Sequence, residues 1–396
     1  MLFKKDELRH LWVFYLASFI HALSVMIMPF MIIYFRNLGF SFFQIGLLTA
    51  AVSLGIFFFE VPTGAFADGW GRKESVILGF LMTAVCVTFI FFFSSFLPIF
   101  ILWFLAGIGI TFISGAEESW AIDNLNHYKR KDLHHEFFTK WWSISGFGFV
   151  FAPLIGAWLV NIHSIRILWV VFGIGFFLVA IVFSLFGEEY YKPKKIKLIN
   201  ALKETYSNSK KGFQFALKHK TVFLLILGTM FTAVMFIGDD GWQPFLVSLS
   251  LPTHALGFVY SILGLGMVVF PFISKLFVKK NLKITVSVTI LIQMVFLLLI
   301  FLLLPPLFAI GGAIYVLLGG LKAIRSPLLD TYFHKFLPKN IRATVVSVKS
   351  LILSVTFAVI GLIGGALMDI FGPQKVIALG GLFGVLAIAA YLRIKD

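Results

Sequence analysis

The chain has 396 residues, of which 60% are hydrophobic and only 13% are charged, against about 45–50% and about 25% in soluble globular proteins. An ordinary soluble fold is excluded, because that much apolar surface cannot be hidden from water and most of the chain must face lipid. The single cysteine, Cys86, excludes a disulfide or thiol-based metal framework. A net charge of +15 would suggest nucleic acid as the partner of a soluble protein, but its distribution along this chain indicates a membrane protein with no nucleic-acid partner.

Apolar stretches long enough to cross a bilayer, which takes about 20 helical residues, recur from one end of the chain to the other. Twelve are predicted, centred near Phe19, Val52, Ala84, Leu105, Val150, Phe176, Phe231, Leu265, Met294, Ala313, Ala358 and Val385. The runs are continuous rather than alternating, which excludes a transmembrane β-barrel. The predicted fold class is therefore all-α, a polytopic membrane protein with twelve transmembrane helices.

The lysines and arginines set the predicted orientation. With the N-terminus inside, all of the 33 Lys and Arg residues except Arg36, Arg166 and Lys375 fall on the inner side, as the positive-inside rule requires. Both termini are therefore predicted to be cytoplasmic, in a multi-pass protein of the cell membrane. The first apolar segment is too long for the apolar region of a signal peptide and lacks a cleavage site, so we expect it to be retained as a span.

A polar, lysine-rich stretch from 188 to 220 separates six predicted spans from six. It divides the chain into an N-terminal six-helix bundle (1–187), a cytoplasmic basic linker (188–220) and a C-terminal six-helix bundle (221–396). Apolar residues recur at helical intervals over 196–216. That pattern is compatible with a surface helix against anionic lipid and equally with a solvated linker.

The two halves share sequence features at a common offset. A shift of 207 residues places Ser119 on Ser326, Asp123 on Asp330, and the basic pair that begins at Arg72 on the pair 279–280. Two related six-helix halves are typical of secondary transporters, in which the halves move around a site near the bilayer midplane. The repeat therefore predicts two pseudo-symmetric bundles.

The segment GAFADGWGRKESV follows the second predicted span. It resembles the cytoplasmic signature of the major facilitator superfamily, G-x-L-x-D-R-x-G-R-K/R, with matches at Gly64, Asp68, Gly71, Arg72 and Lys73. Phenylalanine replaces the usual leucine, and glycine replaces the usual first arginine, so any role of that arginine is absent or carried by another residue. Together with the span count and the central basic loop, the resemblance covers the whole chain.

Membership of this family implies a transporter built from two bundles of six helices. In the family, the arginine and aspartate of the signature form a charge cluster with an acid at the inner end of the fourth helix, and Asp123 holds that place here. The resemblance implies that Asp68, Arg72 and Asp123 latch the cytoplasmic side shut. The alternative is that these charges act only as topology determinants.

A second segment, in the fifth predicted span, resembles the G-x-x-x-G-P-x-x-G-G pattern associated with antiporters. It contains Gly148, Pro153 and Gly156, although alanine replaces glycine at two positions of the pattern. The resemblance implies export. The alternative is that small residues at this spacing only allow close packing of helices.

Ionisable residues inside spans are costly and are therefore candidates for function. His21 is predicted near the bilayer midplane, where its side chain is suited to substrate contact or proton exchange. Asp239 and Asp240 lie in the outer third of the seventh span, and Glu117 lies near the inner end of the fourth. These four residues are the predicted substrate or proton site. A histidine bonded to a neighbouring carbonyl, and acids that merely lie at the outer boundary, are the alternatives.

Glu118 and Arg325 occupy corresponding positions under the 207-residue shift. We predict that they pair across the inner mouth when the cytoplasmic gate closes and separate when it opens. The alternative is that each side chain reaches the cytosol separately.

The leading functional prediction is a secondary active transporter. No G-x-x-x-x-G-K-[ST] segment occurs, which excludes an internal P-loop ATPase, so transport must use a gradient. The predicted activity is proton-coupled efflux of a lipophilic or amphipathic compound; the alternative is proton- or ion-coupled uptake of a small nutrient or organic ion. The predicted partners are a small-molecule substrate, a coupling proton and the bilayer. Enzyme activity, a cofactor, a metal site and stable oligomers are not predicted.

Overall fold

The computed structural model describes residues 3–193, 212–277, 280–338 and 341–394. The regular secondary structure of these ranges is helical, and no β-strand occurs within them. Twelve segments of the described residues are long and apolar enough to cross a membrane. The predicted all-α fold with twelve transmembrane helices is therefore confirmed. The possible surface helix over 196–216 lies largely outside the described residues.

The α-helices used below are numbered in chain order. In the first half they are α1 Glu7–Ser24, α2 Met31–Asn37, α3 Phe42–Trp70, α4 Arg72–Ile90, α5 Phe96–Ile113, α6 Ala116–His127, α7 His134–Ile162 and α8 Ile167–Phe186. In the second half they are α9 Lys220–Val234, α10 Trp242–Ser248, α11 Leu256–Ile273, α12 Leu282–Leu299, α13 Phe308–Lys335, α14 Arg342–Phe371, α15 Pro373–Gly380 and α16 Gly384–Leu392.

Two spans of corresponding rank, the first and the seventh, are broken rather than continuous. The first changes from α1 to α2 through a short 3-10 turn, Met28–Phe30, which contains a proline at its start. The seventh changes from α9 to α10 through the 3-10 turn Asp239–Gly241. Discontinuous helices place irregular backbone at membrane depth and are a recurrent feature of transporter binding sites.

The described chain groups into two compact units. Unit 1 comprises Met1–Met31 and Ala51–Lys203. Within it, α4 packs between α5 and α8, and α1 packs against α7 and α8. A Cβ atom at Gly79 of α4 would lie 2.6 Å from the carbonyl oxygen of Gly109 in α5. Small residues at such crossings let two helix backbones approach closely, which replaces the hydrophobic driving force that lipid does not supply.

Unit 2 comprises Ile32–Ala50 and Glu204–Asp396. Within it, α11 packs on α13, α9 on α16 and α14, and α12 on α16 and α13. The Asp369 carboxylate at the end of α14 accepts hydrogen bonds from the first two amides of α3, at 2.8 Å and 2.9 Å. The side chain of Gln243 accepts a further bond from the amide of Ile32 at 3.1 Å. These units are not the division that the sequence predicts by chain order, and the bundle and linker boundaries stay predictions.

Candidate transport site

A cavity of about 400 Å³ lies within unit 2. Its wall is formed by α9, α13, α14 and α16, by the turn between α9 and α10, and by Thr49 of α3. The wall mixes aromatic and aliphatic side chains with hydroxyl groups and with charged side chains of both signs. Cavities of roughly 300–1,000 Å³ hold small organic molecules, so this one is of the size of a metabolite.

Two acidic side chains enter the cavity from the break in the seventh span. Asp239 and Asp240 both line it, and Asp239 is exposed while Asp240 is half-buried. The break matters because successive residues on a regular helix point about 100° apart, whereas both side chains of the 3-10 turn reach the same cavity. Lys322 of α13 also lines the cavity, is exposed, and acts electrostatically on Asp239. The structure thus brings two of the predicted acids together with a cation.

Arg325 lines the same cavity and is only 4% exposed. Its Nη1 donates a 2.6 Å hydrogen bond to Oε1 of Gln293 in α12. Gln293 is fully buried, and its Nε2 donates in turn to the carbonyl oxygen of Leu318 at 2.9 Å. Sequence reasoning missed Gln293, although an amide side chain in an otherwise apolar span is a signal that could have found it.

The other predicted groups lie in unit 1. Glu118 has one carboxylate oxygen, Oε2, that is buried and has no hydrogen-bond partner among the described residues. Glu117 is 5% exposed and lies beside the indole of Trp141. The pairing of Glu118 with Arg325 would join the two units, and it stays a prediction.

His21 of α1 lies between two aromatic rings. The ring centroids of Phe80 and Phe176 are 5.6 Å and 4.8 Å from that of the imidazole, and both rings are edge-on to it. His21 does not line the cavity of unit 2. Its predicted contact with substrate or proton therefore stays a prediction, without support from this cavity.

The signature residues form a charge cluster in unit 1. Gly71, with φ of 144°, makes the turn that ends α3 and begins α4, a conformation that favours glycine. Nη1 of Arg72 lies 2.7 Å from Oδ2 of Asp123, and Nη2 lies 4.0 Å from Oδ1 of Asp68. The structure thus brings together the three charged groups singled out in the sequence, and their role as a latch stays a prediction.

The other signature residues differ in what they contact. The Lys73 ammonium donates a 2.7 Å bond to the carbonyl oxygen of Gly187, directly after α8. It therefore ties the start of α4 to the end of α8. A Cβ at Gly64 would meet no atom within 4 Å. Among the described residues, Gly64 therefore makes no close helix approach that a side chain would prevent.

Sequence reasoning also missed the residues that follow α8. The Glu189 carboxylate accepts hydrogen bonds from the backbone amides of Arg72 at 2.6 Å and Lys73 at 3.1 Å. It therefore caps the N-terminus of α4, where negative charge is favoured. The ring of Tyr191 lies 4.5 Å from the Arg72 guanidinium carbon, and its hydroxyl donates to the carbonyl oxygen of Asp68 at 3.2 Å. An acidic and aromatic start, EEYY, to an otherwise basic stretch was the available signal.

The two adjacent glutamates of this segment have opposite electrostatic environments. Burial raises the pKa of Glu189, and the neighbouring carboxyl group of Glu74 adds to the rise. Hydrogen bonds from the hydroxyls of Tyr190 at 2.7 Å and Tyr128 at 2.9 Å lower the pKa of Glu188. Glu189 therefore holds its proton more tightly than a free glutamate does, and Glu188 holds its proton less tightly.

The sequence pattern of the Major Facilitator Superfamily matches residues 14–353. The chain belongs to this superfamily. It is 24% identical over 396 residues, covering 97% of this chain and 96% of the other, to the uncharacterized MFS-type transporter YxaM of Bacillus subtilis (strain 168). Its fold is similar to that of a variant of the nucleoside transporter NupG, with a TM-score of 0.78, 14% identity, and coverage of 99% of this chain and 100% of the other. It is also similar to a bacterial homologue of the human lysosomal transporter Spinster in an inward-facing and occupied conformation, with a TM-score of 0.77, 17% identity, and coverage of 98% and 97%.

The chain is therefore a multi-pass membrane transporter of the Major Facilitator Superfamily, and not an enzyme. In α7, a Cβ at Gly148 would lie 2.6 Å from the carbonyl oxygen of Ala22, and one at Gly156 would lie 2.8 Å from that of Met26. Pro153, which lies between them in the sequence, is buried. These glycines thus pack against the first span. The drug:proton antiporter subtype and export stay predictions.

Proposed function

We propose that this transporter moves a small organic ion through the cavity of unit 2 and that Asp239 or Asp240 carries the coupling proton. One observation carries the proposal: ionisable side chains of opposite charge, Asp239 and Lys322, are exposed to a cavity among membrane-spanning helices. A charged residue at the centre of a span costs about 2.5–3.5 kcal/mol on insertion scales. Such residues mark substrate and ion pathways for that reason.

The charged wall supports the organic-ion alternative over the lipophilic one. Asp239, Asp240, Lys322 and Arg325 all line the cavity. A lipophilic compound would displace water from these groups without replacing its hydrogen bonds, and burying a polar group without a partner costs roughly 2–7 kcal/mol. A solute with its own ionised groups replaces the hydrogen bonds that the displaced water had made. Efflux of an amphipathic ion remains within this proposal, and efflux of an uncharged lipophilic compound does not.

A proton gradient supplies enough free energy for this activity. One elementary charge moved through 100 mV is worth about 2.3 kcal/mol, which corresponds to accumulation of roughly fiftyfold. We propose that the cluster of Arg72 and Asp123 gates the predicted cytoplasmic side. Alternating access, in which the site opens to one side at a time, is the mechanism that the repeat of six spans favours.

The test is proton-driven flux in proteoliposomes with a panel of acidic, basic, zwitterionic and neutral solutes. We expect an ionised solute to accumulate when a pH gradient is imposed. Asp239→Asn and Asp240→Asn separate the roles of the two acids: the one that carries the proton loses accumulation on replacement but retains solute counterflow, because exchange needs no net proton movement. Asp330→Asn is the matched control, since Asp330 is an exposed acid that pairs with Lys349 at 2.8 Å outside the cavity.

Two results would contradict the proposal. Undiminished proton-driven accumulation in the double variant would show that these acids do not carry the proton. Accumulation of neutral lipophilic dyes alone would return the function to drug-type efflux. Dye retention in cells that overproduce the protein is a further check on that second result.

A further inference from the structure

Arg325 is the only buried lysine or arginine among the described residues, and its partner differs from those of the half-buried Arg72 and Lys140. Arg72 pairs with Asp123, Lys140 pairs with Glu7, and both partners are carboxylates. Arg325 is bonded to the neutral amide of Gln293, and within the described ranges no carboxylate lies at ion-pair distance from its guanidinium. An ion removed from water costs several kcal/mol unless an opposite charge offsets it.

The geometry around Arg325 orients the guanidinium without neutralising it. Arginine has donors only, so the atom of Gln293 that faces it must be the amide oxygen. The amide nitrogen of Gln293 is fixed by the carbonyl oxygen of Leu318 at 2.9 Å, which holds the side chain in place. One of the five N–H donors of the guanidinium is thereby used. The side chain lines the cavity, and the other four donors have no hydrogen-bond partner among the described residues.

Hydroxyl groups complete this end of the cavity. Tyr391 and Thr229 both line it, and their oxygen atoms lie 3.3 Å apart. Tyr391 is also the titratable group that acts electrostatically on Arg325. The Thr229 hydroxyl donates its one hydrogen to the carbonyl oxygen of Leu225 at 2.8 Å. This end of the cavity therefore places a fixed cation beside two hydroxyl groups, with no carboxylate of the described residues at ion-pair distance from it, so its charge is available to an anion.

We propose that Arg325 binds an anionic group of the transported solute, a carboxylate or a phosphate, and so determines that the substrate is an organic anion. The inference rests on the proposed function and names its substrate class. The planar guanidinium presents paired N–H groups that match a carboxylate or phosphate in a bidentate manner. The aromatic side chains of Phe236 and Phe357 in the same wall contact the apolar body of the solute.

The same geometry fixes the sign of proton coupling. A proton on Asp239 or Asp240 removes negative charge from the cavity, so it strengthens binding of an anion there, and the anion strengthens proton binding equally. The titratable groups that face the two acids are Lys322 and Tyr315 from α13 and Tyr260 from α11. Proton and anion therefore travel together, and an inward proton gradient drives uptake.

The test measures binding by thermal unfolding of the purified full-length protein with matched probes. The probes are small aromatic and aliphatic carboxylates, their amides, and phosphate monoesters of the same size. We expect at least one acid to stabilise the wild type more than its amide does. Comparison of the carboxylates with the phosphates then identifies the anionic group.

Variants of Arg325 connect this selectivity to the guanidinium. Arg325→Gln weakens binding of the acid about tenfold to hundredfold, the loss expected for a charge-assisted hydrogen bond, and leaves binding of the amide unchanged. Arg325→Lys retains the charge and the folded core but loses the bidentate geometry, so it weakens binding of the acid by an intermediate factor. Arg342→Gln is the matched control, because Arg342 lies at the start of α14 outside the cavity.

Two outcomes would overturn the inference. Either no acid is distinguished from its amide by the wild type, or the acid binds the Arg325→Gln and Arg325→Lys variants as well as the wild type. The second outcome is also the one expected if Arg325 serves only as the partner of Glu118. Binding is measured without a proton gradient, so the two proposals can fail separately. Acid-selective binding without pH-driven flux contradicts the proposed proton coupling. Proton-driven transport of a neutral or cationic solute contradicts only the proposal that Arg325 binds an anion.

Discussion

Glu189 caps the start of α4 from a distant part of the chain, and replacing it tests whether the signature cluster depends on that cap. The carboxylate accepts the amides of Arg72 and Lys73 at 2.6 Å and 3.1 Å. Gly71 occupies the N-cap position and supplies no side chain for this purpose. Glu189→Ala removes the acceptor, whereas Glu189→Gln keeps an amide oxygen in its place.

The magnitude follows from the loss of an N-cap, which costs about 0.5–2 kcal/mol. A change of one or two kcal/mol alters the equilibrium between closed and open forms by a factor of about 5–30. Hydrogen–deuterium exchange of the peptide that begins at Arg72 measures this directly. We expect exchange to become faster by that factor in Glu189→Ala and to change little in Glu189→Gln.

The pH dependence gives a second, independent readout. Burial raises the pKa of Glu189, so the folded protein binds this proton more tightly than the unfolded chain does. The corresponding stability is present below the unfolded pKa and is lost as the pH rises through the folded one. Glu189→Gln should therefore gain apparent Tm relative to the wild type as the pH rises.

Glu188 is the matched control with the opposite sign. Its pKa is lowered by the hydroxyls of Tyr190 and Tyr128, so its contribution is present above the unfolded pKa and is lost as the pH falls through the folded one. Glu188→Gln should therefore lose Tm relative to the wild type at neutral pH and match it in acid. Two results would refute the capping argument. One is an amide exchange rate in Glu189→Ala equal to that of the wild type, and the other is the same trend of Tm with pH in Glu189→Gln and Glu188→Gln.

Three further predictions concern packing and charge. A Cβ at Gly46 would clash with the backbone carbonyl oxygen of Gly361 in α14, so Gly46→Val should cost about 1–3 kcal/mol and lower Tm. Gly64→Ala should leave Tm unchanged or raise it. Asp369→Ala should destabilise the start of α3 by about 1 kcal/mol, seen as faster amide exchange there, with Asp369→Asn intermediate. Gln293→Glu should place a carboxylate beside Arg325 and so abolish the preference for acids over amides in the thermal-unfolding assay.

The sequence was sufficient for the parts of the fold that the bilayer dictates. A span must be long, apolar and internally hydrogen-bonded, so composition and length alone predict twelve helices. The closeness of Arg72 and Asp123 was predicted from the family resemblance, and their 2.7 Å contact agrees with it.

The direction of a side chain was not predictable in the same way. His21 lies deep in the first span, yet Phe80 and Phe176 surround its ring, and these neighbours come from other helices. Ionisable residues in spans were the predicted candidates for function, and a neutral side chain such as Gln293 is not among them. Glu189 lies in a stretch interpreted as a basic linker. Its contacts with α4 depend on the three-dimensional path of the chain after α8, which the sequence does not specify.

The identity of the residue beside Arg325 decides what that arginine can do. A carboxylate at the position of Gln293 would stabilise the guanidinium permanently, but it would also compete with any anion that approached from the cavity, because a paired charge attracts a third group weakly. A neutral amide holds the guanidinium at 2.6 Å and leaves the positive charge intact. The buried charge therefore destabilises the empty protein, and this unfavourable free energy is relieved when an anion binds. The relief contributes to the free energy of binding. On this argument Gln293, a residue without charge, sets the charge of the solute.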